Sequence, residues 1–539
     1  MINSMRKFLQ TISAVIIFNF NLFSQWSTDP NNNLVVGYGL NPDLCSDSAG
    51  GCYITYEYGT TGYPRKLGLE RLDKYGYKPW GTLKQIPGEL PEQWYAEIIE
   101  DGEGGVIISY LDDLISGSDF IYRVRVQRVD CAGNLLWGQT GVRVTTTEIN
   151  HGDQSIVSDG NGGCIVVWPN QLQNYTYDYR ANRINNLGER SWGDTGIFLE
   201  NSIYSNPAGV VRASDGNYYV RVRNSLYRIG ENGHIIRQDS VILTENIIPD
   251  LEGGVVLSGR IGSINNRRLV AQRIDSLGNN LWQEPYLEIT DSLFINTRNR
   301  ILNNDGLYFF SWSGKRIGID NVAQFQGLRS DGSKLFGDTS ITINSNIQLS
   351  IAGMVPSENT KTIFIWNDDP NLPDSTLAQI YDTLGNKIWN ENGIVIAHPA
   401  ISYQSYTIDR NGGFIIGGII NEFTVVVQQV SKYGNLGEII TSVPQEYHEI
   451  FPLETILHQN YPNPFNSSTV FRFQLPEESE IIIDLYNVLG EKAKTIVTGF
   501  YSSGIHSINF SSVSLPSGIY FYKMQTETKS ITKKLIIIK

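Results

Sequence analysis

The sequence predicts an all-β protein: a β-propeller of eight four-stranded blades, with seven as the alternative count, followed by a small C-terminal antiparallel β-sandwich. Three observations carry this. A turn-and-aromatic pattern recurs along most of the chain, and the recurrences are nearly evenly spaced. The composition also suits many short strands and tight turns, with 52 Gly, 29 Tyr and only 18% charged residues. At 539 residues the chain is too long for one core.

The recurring unit is an alternating strand, a turn ending in Gly and an aromatic residue four positions later, as in RVDCAGNLLWG and RIDSLGNNLWQ. The turn glycines are Gly76, Gly133, Gly188, Gly233, Gly278, Gly332, Gly385 and Gly434, at intervals of 45 to 57 residues, with faint copies around Gly233 and Gly434. Each unit has a second landmark, a Gly-rich turn leading into an apolar run, as in DGEGGVIISY and DGNGGCIVVW. A unit therefore reads as four strands, which is the arithmetic of a propeller blade. Trp80, Trp137, Trp192, Trp282 and Trp389, with Phe336, hold equivalent positions, so packing between blades is expected of them rather than a site. The Asp of DGEGG and DGNGG recurs likewise and reads as a turn former.

The segment QWSTDPNNNLVVG resembles a stray fourth strand, with Trp26 standing where Trp137 stands in its unit. The last unit lacks its Trp, so the N-terminal strand is expected to complete the last blade and remove two exposed sheet edges. Leu34 and Val35 should then pair near Phe414–Ile420 or Val425–Val430. Cys45 and Cys52 flank the turn in CSDSAGGC and are expected to form a hairpin disulfide.

Residues 1–24 read as a signal peptide. Arg6 and Lys7 precede an apolar stretch from Phe8 to Phe23 that Gln10, Thr11, Asn19 and Asn21 interrupt, and Ser24 is the best small residue for the cut. The mature chain would carry no membrane span and would reach the periplasm by Sec-type export. The propeller then occupies 25–443 and a linker, VPQEYHEIFPLET, occupies 444–456. The chain carries a net charge of −13. Residues 457–539 hold eight basic and six acidic side chains, which leaves −15 for the remainder. A body that acidic repels phosphate backbones, so nucleic-acid binding is not expected.

The tail alternates apolar and polar residues at Phe471, Phe473 and Leu475 and again at Ile481, Ile483 and Leu485, with turn signals between. It contains NYPNPFN (Asn460–Asn466), DLYNVLGE (Asp484–Glu491), LPSGIYFYKM (Leu515–Met524) and TKKLIIIK (Thr532–Lys539). On these motifs, residues 457–539 resemble the type A C-terminal sorting domain of the Bacteroidota-type type IX secretion system. The motif is carried by Asn460, Pro462, Asn463, Pro464, Leu489, Gly490, Gly518, Tyr520, Lys533 and Lys534. Ser467 departs from the second Pro of many members. The resemblance implies contact with the type IX machinery and passage through the outer membrane, to a secreted or cell-surface destination. It implies nothing about what the body does.

The body offers little chemistry. Its histidines make no HExxH spacing, no GxSxG elbow occurs, and GEGG and GNGG lack the strand–helix context of a phosphate loop. No cofactor is expected, although carboxylates on neighbouring loops could hold Ca²⁺. Asp112 and Asp113, and Asp368 and Asp369, are expected on the long polar connections after second strands, where they could bind a ligand. Tyr175 and Tyr177 share a strand face in QNYTYDYR and could stack a sugar, although packing on the next blade is the simpler reading. The expected function is non-catalytic binding of a carbohydrate or surface protein. The alternative is a polysaccharide-degrading enzyme using loop carboxylates as acid and base.

Overall fold

The structure is a computed structural model. It describes residues 25–59, 65–116, 119–172, 176–205, 208–243, 245–263, 267–290, 294–295, 300–316, 319–344, 350–367, 375–437, 455–457, 460, 463, 465, 468–475, 479–501, 504–512, 515–526 and 529–538. The chain divides into two units, Met1–Ile439 and Ile440–Lys539.

The first unit is a β-propeller. Its described residues form eight antiparallel sheets, blades I to VIII. The innermost strands, in order, are Leu40–Ser46, Glu92–Glu100, Ser155–Ser158, Gly209–Arg212, Asn246–Pro249, Arg300–Asn304, Ser350–Pro356 and Ser402–Ile408. Each touches the next, and that of blade VIII touches that of blade I, so the inner strands close a ring. The second strands, such as Cys52–Tyr58 and Cys164–Gln171, are buried along nearly their whole length. Neighbouring blades cover both of their faces, which explains why they read as unbroken apolar runs rather than alternating ones.

One device repeats between the first and second strands. Asp47, Asp101, Asp159, Asp250 and Asp409 each accept, on Oδ1, the backbone N–H groups two and four residues ahead. The second glycine of the pair is needed for close approach: a Cβ on Gly51, Gly163 or Gly254 would lie 2.1–2.3 Å from a carbonyl oxygen of the third strand. The free Oδ2 binds an arginine of that strand, buried in Arg128–Asp101 and Arg273–Asp250 and half-buried in Arg71–Asp47 and Arg183–Asp159, at 2.8–3.1 Å.

These arginines and the repeated tryptophans also hold the next blade. The Cys131 carbonyl accepts from both Arg71 and Trp80, that of Glu231 from Arg183 and Trp192, and that of Ser330 from Arg273 and Trp282. Trp137 and Trp389 donate equivalently to Asn186 and Lys432. Blade IV has no such Trp, and Arg237 donates to Ser276 O in its place. The aspartates are thus turn formers and the tryptophans inter-blade staples, as the repeat implied. Removing one member of a buried pair leaves the other charge uncompensated. Asp101→Ala, which leaves Arg128 only the exposed Glu103 as a partner, should therefore lower stability by about 3 kcal/mol. The shift in denaturant midpoint measures it, and an unchanged midpoint would reject the role.

The N-terminal strand Leu34–Tyr38 completes blade VIII, with Leu34 opposite Val427 and Val35 opposite Val426. Trp26 donates to Lys74 O, two residues before Gly76, in the same manner as the other tryptophans. The expected disulfide is corrected. Cys45 lies opposite Tyr53 and Cys52 opposite Ser46, so the two side chains project from opposite faces of the sheet. Cys45 packs with blade II, Cys52 packs toward blade VIII, and both are free thiols.

The second unit pairs two antiparallel sheets, of three and four strands. Phe471, Phe473, Leu475, Ile481, Ile483 and Leu485 all enter its core, as their alternation implied. Its motif residues mostly hold this fold. Buried Asn460 donates its N–H to Tyr522 Oη and its Nδ2 to Thr469 Oγ1. Asn463 bonds the final strand twice, to Lys534 O and from Ile536 N. Gly490 takes a left-handed φ of 79° in the turn after Asp484–Tyr486. Tyr520 is buried, whereas Leu489 and Lys534 are exposed. Pro462 and Pro464 lie outside the described residues.

Candidate binding face and central cavity

Connectivity places the second-to-third and fourth-to-first connections of every blade on one face of the ring. Asp112 and Asp113, expected on such a connection, are instead part of a long hairpin, Val106–Ser116 with Asp119–Val129. They lie opposite Arg123 and Tyr122, and both are fully buried. Backbone pairing simply continues through LDDLIS, so the strand extends past them. Asp112 has a structural task. Its carboxylate accepts the N–H groups of Glu89 and Leu90 and the Nε2 of Gln93, and Arg125 stands 3.8 Å away. A Cβ on Gly88 would meet its Oδ1 at 2.0 Å. Burial raises its pKa despite these bonds.

Tyr177 follows the simpler of its two readings, packing on the next blade. It packs, partly buried, against a cluster shared with blade IV, in which its strand neighbour Tyr179 is fully buried. Tyr175, Asp368 and Asp369 lie outside the described residues. Among the described residues no group of three or more His, Cys, Asp or Glu side chains is placed to hold a metal ion.

The structure brings forward residues that sequence patterns did not. The inner strands of blades I, II and VIII each carry a bulge at this face, between Leu40 and Asp43, Trp94 and Glu97, and Ser402 and Ser405. Asn41, Tyr95 and Tyr403 sit at equivalent points of those bulges with φ of 48°, 44° and 50°. Left-handed backbone is unfavourable for such residues and persists only where the surroundings fix it. Glu57 does so for two of them: its Oε1 accepts from Asn41 Nδ2 and Tyr95 N, while its Oε2 binds Arg65. The Arg65 guanidinium lies 4.6 Å over the Trp94 ring, and Trp94 stacks on Tyr95 at 6.1 Å between centroids. Tyr95 and Tyr403 are 52% and 71% exposed; Tyr38, at the end of its strand, and Tyr204 and Phe423, on connections of the same face, are exposed as well. A cross-strand acidic pair, Glu92 and Asp113, lies beside this cluster and is buried. Burial, then the charge of Asp113, pushes the Glu92 carboxyl above its usual range.

Two residues below the bulges, the inner strands enclose a cavity of about 430 Å³. Acidic residues at its upper level serve the ring: Asp43 accepts the N–H of Ile98, and Glu97 accepts that of Ile156, each in the following blade. Ser405 Oγ closes the circuit by donating to Asp43. Burial raises both carboxyls, that of Glu97 to about 8.

Residues 459–538 match the model of the secretion system C-terminal sorting domain, which indicates delivery to the cell surface or the extracellular space. No curated protein matches the sequence. Among solved structures the chain is similar to the β-propeller domain of the Trilobed protease from Pyrococcus furiosus, at 8% identity and TM-score 0.38, over 75% of this chain and 99% of that one. It is similar to an endo-arabinase from Bacteroides thetaiotaomicron, at 12% identity and TM-score 0.24, over 68% and 99%. A GH43_1 enzyme from Xanthomonas citri complexed with xylotriose matches at 12% identity and TM-score 0.27, over 57% and 92%. The protein is a β-propeller with a type IX sorting domain at its C-terminal end.

Proposed function

We propose that the protein is an exported binding protein whose propeller holds a carbohydrate on the face bearing Trp94, Tyr95 and Tyr403. Residues 1–24 act as a cleaved leader for Sec-type export to the periplasm, and the C-terminal unit then engages the type IX machinery. The observation that carries the binding reading is the braced cluster of Glu57, Arg65, Trp94 and Tyr95. The exposed Tyr95 ring, held in fixed orientation against half-buried Trp94, offers an apolar face to sugar C–H groups at little entropic cost, and the partly exposed Arg65 guanidinium can bond hydroxyls. Tyr95→Ala and Trp94→Ala should each weaken binding to a polysaccharide from a screened panel at least tenfold, with thermal midpoints close to wild type. Binding that survives both replacements removes this face from consideration.

A second reading, hydrolysis of such a polymer, has one observation in its favour. Glu92 is a carboxyl held toward its protonated form beside a second carboxyl, the disposition of a general acid. Product release abolished by Glu92→Gln would establish the enzyme, and binding without turnover would leave the first reading standing.

A further inference from the structure

Eight equivalent positions of the inner strands, of which Glu97, Ser155, Gly209 and Asn246 line the central cavity, pair across to the second strands, and seven of those second-strand partners are small or apolar. Thr55, Ser109, Val167, Ser258, Ser311, Ile365 and Gly417 stand opposite Asp43, Glu97, Ser155, Asn246, Arg300, Gly353 and Ser405, taken in matching order. Blade IV breaks the rule with Arg221, which stands opposite Gly209. Arg221 is only 7% exposed and lines the cavity. Arg71, Arg128, Arg183 and Arg273 are each tied to an aspartate, but among the described residues Arg221 makes no hydrogen bond or ion pair, and its Nε is buried without a partner. Its Nη2 runs past Gly209, where a Cβ would sit 3.4 Å from it. The carboxylate whose charge acts on it is that of Glu245, which Arg260 already holds at 2.7 Å. A buried, uncompensated guanidinium is costly, and burial pulls its pKa down.

We propose that Arg221 is the recognition group of a ligand site in the central cavity, and that the site takes a small organic monocarboxylate with an apolar body. A planar guanidinium with free N–H groups matches the two oxygens of a carboxylate. One cation beside the Glu245–Arg260 pair favours a monoanion over a dianion. Ile156, Val210, Ile247, Ile301, Met354 and Tyr406 contribute apolar side chains to the cavity wall. At about 430 Å³ the space falls within the range of small-molecule sites. Glu97, which also lines the cavity, has its carboxyl pushed up to about 8 by burial, which disfavours a competing negative charge there. This site is separate from the exposed aromatic face and does not depend on it.

The test uses the purified full-length mature protein with benzoate as the probe, and benzyl alcohol and sulfate as the neutral and dianionic comparisons. Calorimetric titration should show benzoate bound at least tenfold more tightly than either. Arg221→Met should lose that preference, while its ligand-free thermal midpoint stays equal to wild type or rises, because an uncompensated buried charge has been removed. A merely structural arginine would behave otherwise, its replacement melting early as Asp101→Ala is expected to. The proposal is overturned by absence of benzoate binding at tens of millimolar, by equal binding of benzyl alcohol or sulfate, by unchanged binding in Arg221→Met, or by a lowered midpoint in that variant.

Discussion

Deleting residues 25–38 opens the propeller, with a loss of stability far beyond that of any surface change. The segment contributes the outer strand of blade VIII and two side chains that are almost wholly buried, Trp26 and Val36. It also carries a set of bonds that have no substitute. Asn33 Nδ2 donates to Ile396 O and Gln428 Oε1, Gln428 Nε2 donates to Ser27 O, and Trp26 donates to Lys74 O in blade I. Without them Thr424–Val430 becomes an unpaired edge, a template for association with other chains. Trp26→Ala alone should cost about 3–5 kcal/mol, the usual range for a large aromatic removed from a core. The deletion should add aggregation and rapid proteolysis of the body. Thermal midpoint, sedimentation and limited proteolysis read these effects, and a deletion variant that melts with the wild type would refute closure by this strand.

Removing Leu457–Lys539 should abolish appearance outside the cell in a host with the type IX system, with the body accumulating in the periplasm. The tail is built to act alone. It forms its own unit, it has its own core from Leu457 to Ile537, and residues 459–538 match the sorting-domain model. Asn463→Ala should reproduce part of the defect by releasing the bonds to Lys534 and Ile536 that tie the NPF segment to the last strand. Normal secretion of the truncated chain would show that export depends on another signal.

Much of this architecture is visible in the one-dimensional pattern because a propeller blade is local. Its turn glycines, its apolar second strand and its staple tryptophan lie within about fifty residues, a usual blade length. Even the faint copies are real: Gly233 and Gly434 take the left-handed φ of 82° that Gly76 takes in the same turn. Trp26 is recognisable because its neighbours repeat the context of Trp137.

What the pattern hides is whatever depends on register or on side-chain direction. Cys45 and Cys52 look paired until the hairpin register, Ser46 opposite Cys52, puts them on opposite faces. Asp112 and Asp113 look like loop residues because two adjacent carboxylates suggest solvent. In fact one of them satisfies backbone N–H groups in a connection more than twenty residues earlier. The bulges that display Tyr95 and Tyr403 leave no turn residue behind as a marker. Arg221 is exceptional only when eight equivalent positions are aligned through their pairing, and no spacing along the chain discloses that alignment.

The closing strand also sets an order of events. Asn33 and Gln428 touch across 395 residues of chain, so the first strand to leave the ribosome is the last to find its partner. Hairpins within each blade form from neighbouring residues, but the final loop closes only when the whole body is present. A nascent or partly translocated chain therefore carries two complementary open edges. The maturity of the protein is decided at a single late joint.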